Sequence, residues 1–130
     1  VSRKAIADTS LFIARESGRP LDEYAEDAEI AVSVVTIAAL EMGVLAAGEP
    51  RVRAARLRTL RDVEQLSALP VDREVASAFA TLVVEMRAAG RGPLGVQDAW
   101  IAATAIAHDA DLLTQDADFD AVPGLRVVKL

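Results

Sequence analysis

The stretch VQDAWIAATAIAHDADLLTQDADF, residues 96–119, decides the fold. Its first part, 96–109, is apolar nearly all round a helical period, the pattern of a helix buried on most sides. DLLT at 111–114 then reads as a short strand. An abruptly acidic segment follows, with Asp116 and Asp118. The start of the chain repeats that last change: KAIAD, residues 4–8, is a strand ending on Asp8, and Thr9 and Ser10 come next. A strand inside a sheet is a poor place for a carboxylate, and here two strands end on one.

Between these two points strands and helices alternate. SLFIARESG (10–18) reads as a helix stopped by Gly18 and Pro20, with Ser10 as good an N-cap as Asp8. EIAVSVV (29–35) reads as a strand, and Thr36 as the cap of a helix over 36–48. Pro50 opens a long amphipathic helix over 50–67, ALPV (68–71) is a short strand, and Asp72 caps a helix running to about Ala89. In that last helix Val75, Phe79, Leu82, Val83 and Met86 form one apolar stripe. GRGPLG (90–95) is a loop, and LRVVKL (125–130) is a final strand. This order predicts an α/β fold: one domain over 1–130, with a mainly parallel sheet flanked by helices on both faces. Ligands of such sheets bind beyond the carboxyl ends of the strands, so Asp8 and Asp116 are placed on one edge.

Composition narrows the function. Aromatic residues make up only 4% of the chain, so the core is aliphatic. The formal charge of −6 counts against a protein that coats nucleic acid or an anionic membrane by its overall field, but not against one whose acids surround bound cations. There is no cysteine, which excludes disulfides and thiolate metal sites and fits a reducing cytoplasm. No apolar stretch reaches the roughly 18–20 residues of a membrane span. VSRKAIADTSLFIA, at the start, has the basic-then-apolar order of a weak signal peptide, but Asp8, Thr9 and Ser10 interrupt it.

Four acids stand out. Asp8 follows a strand, and capping the next helix is its ordinary alternative. Glu41 has Ile37, Ala38, Val44 and Leu45 as its helical neighbours, and an ionised Glu on an apolar face needs a compensating charge unless the helix turns it to solvent. Asp98 lies in a first helical turn, where the helix dipole favours an acid, beside Ala102 and Ala105, which permit close packing. Asp116 follows a strand, with an Asx-turn as the alternative, and Asp118 is either a further ligand or a solvated turn residue. Oxygen donors without Cys or a His pair suit Mg²⁺ or Mn²⁺, and such a cluster points to phosphate chemistry. Thr9, Ser10 and the helix N-terminus after them are candidates for seating a phosphate. His108, near a helix end, and Trp100 read as structural. Arg51, Arg58 and Arg61 read as a solvated face.

ADTS (7–10), TIAALEMGVLAAG (36–48), GVQDAWIAATAIAH (95–108) and LLTQDADF (112–119), in this order and spacing, resemble PIN-domain ribonucleases, and among them the VapC toxins of bacterial toxin–antitoxin pairs. The resemblance spans essentially the whole chain, and DAWIAATAIAH followed by LLTQDADF is its most specific part. It implies a Mg²⁺-dependent endoribonuclease whose centre uses Asp8, Glu41, Asp98 and Asp116, with Asp8 and Asp98 most directly on the metal. It also implies an RNA substrate such as tRNA, a homodimer, and a cognate VapB-type antitoxin that blocks the site in a heterocomplex. Two other readings compete: a catalytically inert PIN-like interaction module, and a receiver-type signalling domain. The receiver needs paired acids at the first strand and an Asp near residue 55, where this chain has an Arg-rich helix.

Overall fold

The computed structural model describes residues 3–18, 28–92 and 94–130. Strands β1 (Arg3–Ala7), β2 (Ala28–Ser33), β3 (Ser67–Leu69), β4 (Asp111–Thr114) and β5 (Val127–Lys129) form a sheet in the order β3-β2-β1-β4-β5. Each of the four pairings is parallel. The helices are α1 (Thr9–Glu16), α2 (Val34–Ala46), α3 (Pro50–Val63), α4 (Arg73–Ala88) and α5 (Val96–Ala107), and a 3-10 helix spans Ala117–Ala121.

Side chains alternate across a strand, so β1 feeds two cores. Ala5 and Ala7 face Leu11 and Phe12 of α1, Leu60 and Val63 of α3, and Leu113 of β4. Ile6 faces the opposite side, with Leu112, Val75 and Leu82 of α4, and Ala102 and Ala105 of α5. Both faces of the sheet are therefore covered, as a parallel sheet requires. Ala99, Ala102, Ala103 and Ala105 of α5 are almost fully buried, which lets that helix lie close against its neighbours. Trp100 stacks on Phe79 with ring centroids 3.8 Å apart, in keeping with a packing role.

Two helices end in the same kind of turn. At the end of α4, Gly90 (φ +68°) donates its N–H to Arg87 O at 3.1 Å, and Arg91 donates to Met86 O at 3.0 Å. That pair of bonds is a Schellman motif, which needs a left-handed residue at Gly90. α5 ends in the same way. Asp109 (φ +50°) donates to Ile106 O, and Ala110 donates to Ala105 O. Arg126 clamps this turn by bonding the carboxylates of Asp109 at 2.7 Å and Asp111 at 2.8 Å. α5 is thereby delivered straight into β4.

Of the two caps the sequence offers for α1, Asp8 is the one used, its side chain accepting from Ser10 N–H. Three boundaries differ from the sequence expectation. Ser33, not Thr36, caps α2, so β2 stops two residues early and Thr36 is buried within the helix. α3 ends at Val63, and Ser67 belongs to β3 instead of the helix. The 3-10 helix after Asp116 was expected only as a turn. Pro20 and Pro93 lie outside the described residues. Among the described residues, no helix is long and apolar enough to cross a membrane.

Candidate metal centre

β1 and β4 are neighbours, yet the chain builds outward from β1 to β2 and β3 on one side and from β4 to β5 on the other. A crevice opens at the carboxyl ends of two strands that diverge in this way. Asp8 is the first residue past β1, and Asp116 is the second past β4. α5 leads back to the start of β4, so its own first turn stands at the same edge and carries Asp98.

Hydrogen bonds fix Asp8 and Asp116. Asp8 is 3% exposed, and its Oδ2 accepts from the Thr114 hydroxyl at 2.8 Å and from Ser10 N–H at 3.4 Å. The same Thr114 oxygen accepts the Asp116 N–H at 2.9 Å. Since the Thr114 proton goes to Asp8, the 3.2 Å contact between Ser10 Oγ and Thr114 Oγ1 has Ser10 as donor. Ser10 Oγ in turn accepts Gln115 N–H at 3.1 Å. One buried hydroxyl thus ties the end of β1 to the end of β4. Asp116 Oδ1 accepts the Asp118 N–H at 2.9 Å, which forms the Asx-turn and starts the 3-10 helix. The local roles considered for Asp8 and Asp116 are both present, and they hold the carboxylates at the crevice.

Carboxylate oxygens of Asp98, Asp116 and Asp118, one from each, lie within 4.8 Å of one another. Burial pushes the Asp98 carboxyl up to about 6, and the charges of Asp8, Asp116 and Asp118 add to that push. Among the described residues, no Lys, Arg or His forms an ion pair with any of these four acids. Converging carboxylates without a counter-charge are a donor set for a hard divalent cation. The arrangement fits the ion inferred from the acids alone.

Glu41 is placed differently. It is exposed on α2, outside the close group of carboxylates, and it is not among the charges acting on Asp98. The desolvation argument for it fails because Ala38 and Leu45 are exposed too, Leu45 at 69%. The Thr9 hydroxyl bonds Thr36 at 3.2 Å, and the Ser10 proton is committed to Thr114. His108 is the C-cap of α5. Sequence reading missed Thr114, whose signal was a polar residue closing an apolar strand between two candidate acids.

Thr114→Val keeps the volume but leaves Asp8 Oδ2 one donor short and the Asp116 N–H without its acceptor. A destabilisation of about 1–3 kcal/mol is expected. Any activity that depends on these carboxylates should fall by about 10–100-fold, as when the outer partner of a metal ligand is lost. Thermal melts of parent and variant check the first effect; an unchanged melting temperature would show that the hydroxyl is dispensable.

The model of the PIN domain matches residues 5–125. The chain belongs to the PIN-domain family. Ribonuclease VapC5 of Mycobacterium tuberculosis is 43% identical over 125 residues, which cover 96% of this chain and 92% of that protein. Ribonuclease VapC4 of the same organism is 41% identical over 128 residues, 98% of each chain. The crystal structure of VapBC-5 from M. tuberculosis, a member of the VapBC family of toxin–antitoxin systems, superposes with a TM-score of 0.83 at 36% identity, covering 98% of both chains. This PIN domain is thus homologous to VapC ribonucleases along nearly its whole length, and its sheet order and helices are those of a VapC fold.

Proposed function

We propose that the chain, as a single PIN domain over residues 1–130, is a Mg²⁺-dependent endoribonuclease and the toxin of a type II toxin–antitoxin pair. One observation carries this reading: acids that follow β4 and open α5 converge, with Asp8 after β1 acting on Asp98, and among the described residues no ion pair offsets them, in a chain over 40% identical to two ribonucleases. Asp8 and Asp98 would hold the cation most directly, with Asp116 and Glu41 secondary and Asp118 a further ligand. Glu41 rests on the family resemblance, its side chain being exposed on α2. When bound, Mg²⁺, or Mn²⁺ in its place, supplies Lewis acidity that lowers the pKa of water and offsets charge on the phosphate.

The chain's own groups prepare for this. Thr114 occupies Asp8 Oδ2, which leaves the other oxygen for the cation. The Asp118 N–H holds Asp116 Oδ1 and orients that carboxylate. Asp98, with its carboxyl up at about 6, is mostly ionised at neutral pH, and a nearby cation would favour that form further. The Thr9 and Ser10 hydroxyls point to Thr36 and Thr114, so phosphate contacts from this turn fall to the backbone N–H groups of α1.

The substrate is RNA, with tRNA the first pool to examine. The partner is a cognate VapB-type antitoxin, in a heterocomplex of a cytoplasmic homodimer. Its contacts would be apolar, with a basic residue aimed at the acids. Ile13, Met42 and Leu45 are exposed apolar side chains on α1 and α2 that suit such contacts. The purified chain, freed of its partner, is expected to cut a tRNA or total RNA pool in Mg²⁺. Excess EDTA should stop the reaction, and added Mg²⁺ or Mn²⁺ should restore it. RNA left intact under every metal condition would favour the inert interaction module.

A further inference from the structure

We propose that Arg91 seats the phosphate of an RNA nucleotide next to the scissile bond, with Met86 and Leu94 providing an apolar floor for a base. Met86, Arg91, Gly92, Leu94, Asp118 and Ala121 line a cleft of about 260 Å³. Asp118 lines this cleft and also belongs to the carboxylate group, so the cleft adjoins the candidate centre. The proposal therefore deepens the nuclease reading and rests on it.

Three observations converge on Arg91. First, its backbone is fixed. The Schellman motif at Gly90 directs the Arg91 N–H onto Met86 O, so the side chain leaves from a set position and not from a wandering loop. Second, its charge is uncommitted: among the described residues Arg91 forms no ion pair, whereas Arg126 and Lys129 do. Third, a net charge of −6 gives no broad attraction for a polyanion, so a strand reaching these acids needs a local cation. Arg91 also lines the neighbouring apolar groove between α4 and α5, together with Arg87, which extends the path beyond one nucleotide. A guanidinium binds phosphate oxygens in a bidentate fork, and a base rests on apolar side chains without sequence readout.

The test uses Asp98→Asn as a background in which RNA binds without being cut. Binding of a fluorescein-labelled single-stranded RNA is followed by anisotropy at several salt concentrations. Adding Arg91→Ala is expected to weaken binding about tenfold and to reduce the salt slope by about 0.7, the share of one phosphate on a single strand. Arg91→Lys keeps the charge and should keep the slope. Arg73→Ala, at the far end of α4, is the control and should bind like its parent. In the cleaving protein, Arg91→Ala should raise KM about tenfold and leave kcat within about twofold. Unchanged binding and slope in Arg91→Ala, with RNA cleavage intact in the parent, would overturn this subsite and leave the nuclease reading standing. A loss confined to kcat would also overturn it, because Arg91 would then support the structure of the centre. A parent that neither binds nor cuts RNA would overturn both.

Discussion

Asp98→Asn is expected to lower RNA cleavage by at least about a hundredfold and, at neutral pH without metal, to raise the melting temperature. The two effects have one cause. Asp98 stands in the first turn of α5, partly buried, with Asp8, Asp116 and Asp118 acting on it. The amide keeps the shape but removes one negative charge from the cation's shell. Loss of an outer-shell partner already costs about 10–100-fold, and loss of a ligand should cost no less. The same change relieves repulsion among the remaining acids, so the metal-free fold gains stability. Cleavage of a tRNA pool and a thermal melt, made on one preparation, separate lost chemistry from lost fold. A variant that cuts at the parent's rate would remove Asp98 from the centre. One that is inactive but also less stable would show that Asp98 supports the fold.

The second large effect is stabilisation by metal, with a pH dependence whose direction follows from Asp98. Its carboxyl stands at about 6 in the folded chain, above the ordinary 3.8 of an aspartate. The native state therefore binds this proton more tightly than the unfolded state. The contribution to stability is full below about pH 4, falls as pH rises toward 6, and is level above that. Bound cation reverses the trend, because it favours the ionised form. At pH 7.5 a cation at about 100 times its Kd adds about 2.7 kcal/mol. For a domain of this size that is about 10 °C in melting temperature. Many other acids titrate over the same range, so the diagnostic quantity is the difference between parent and Asp98→Asn. The parent should lose stability relative to the variant between pH 4 and 6 without metal, and should gain more from Mg²⁺ at pH 7.5. Equal Mg²⁺ responses in both proteins would place the cation elsewhere.

Much of this was legible in the residues, and the misses have physical reasons. The helix-to-strand change across residues 96–119 marked α5 and β4 because an all-round apolar period and a short apolar run are distinct patterns. The parallel sheet followed from alternation. Asp8 and Asp116 are readable as strand-end acids for which cap and site are alternatives in the sequence, whereas in the fold one oxygen does local bonding and the carboxylate still stands at the crevice. Ser33 and Thr36 compete as caps, and choosing between them depends on where β3 lets β2 stop. For Glu41 the sequence leaves burial and solvent as alternatives, because apolar helical neighbours do not guarantee burial; here Leu45 and Met42 on the same helix are exposed, and so is Glu41. The proximity of Asp118 to Asp98 depends on a 3-10 turn that no hydrophobic period encodes.

The claim that these carboxylates form one metal centre is tested most directly by anomalous diffraction from a crystal of the protein grown with Mn²⁺. The predicted result is an anomalous peak about 2.1 Å from carboxylate oxygens of Asp8 and Asp98, with Asp116 or Asp118 bound directly or through one water. A peak elsewhere on the chain, or no peak under conditions where Mn²⁺ supports RNA cleavage, would contradict the account.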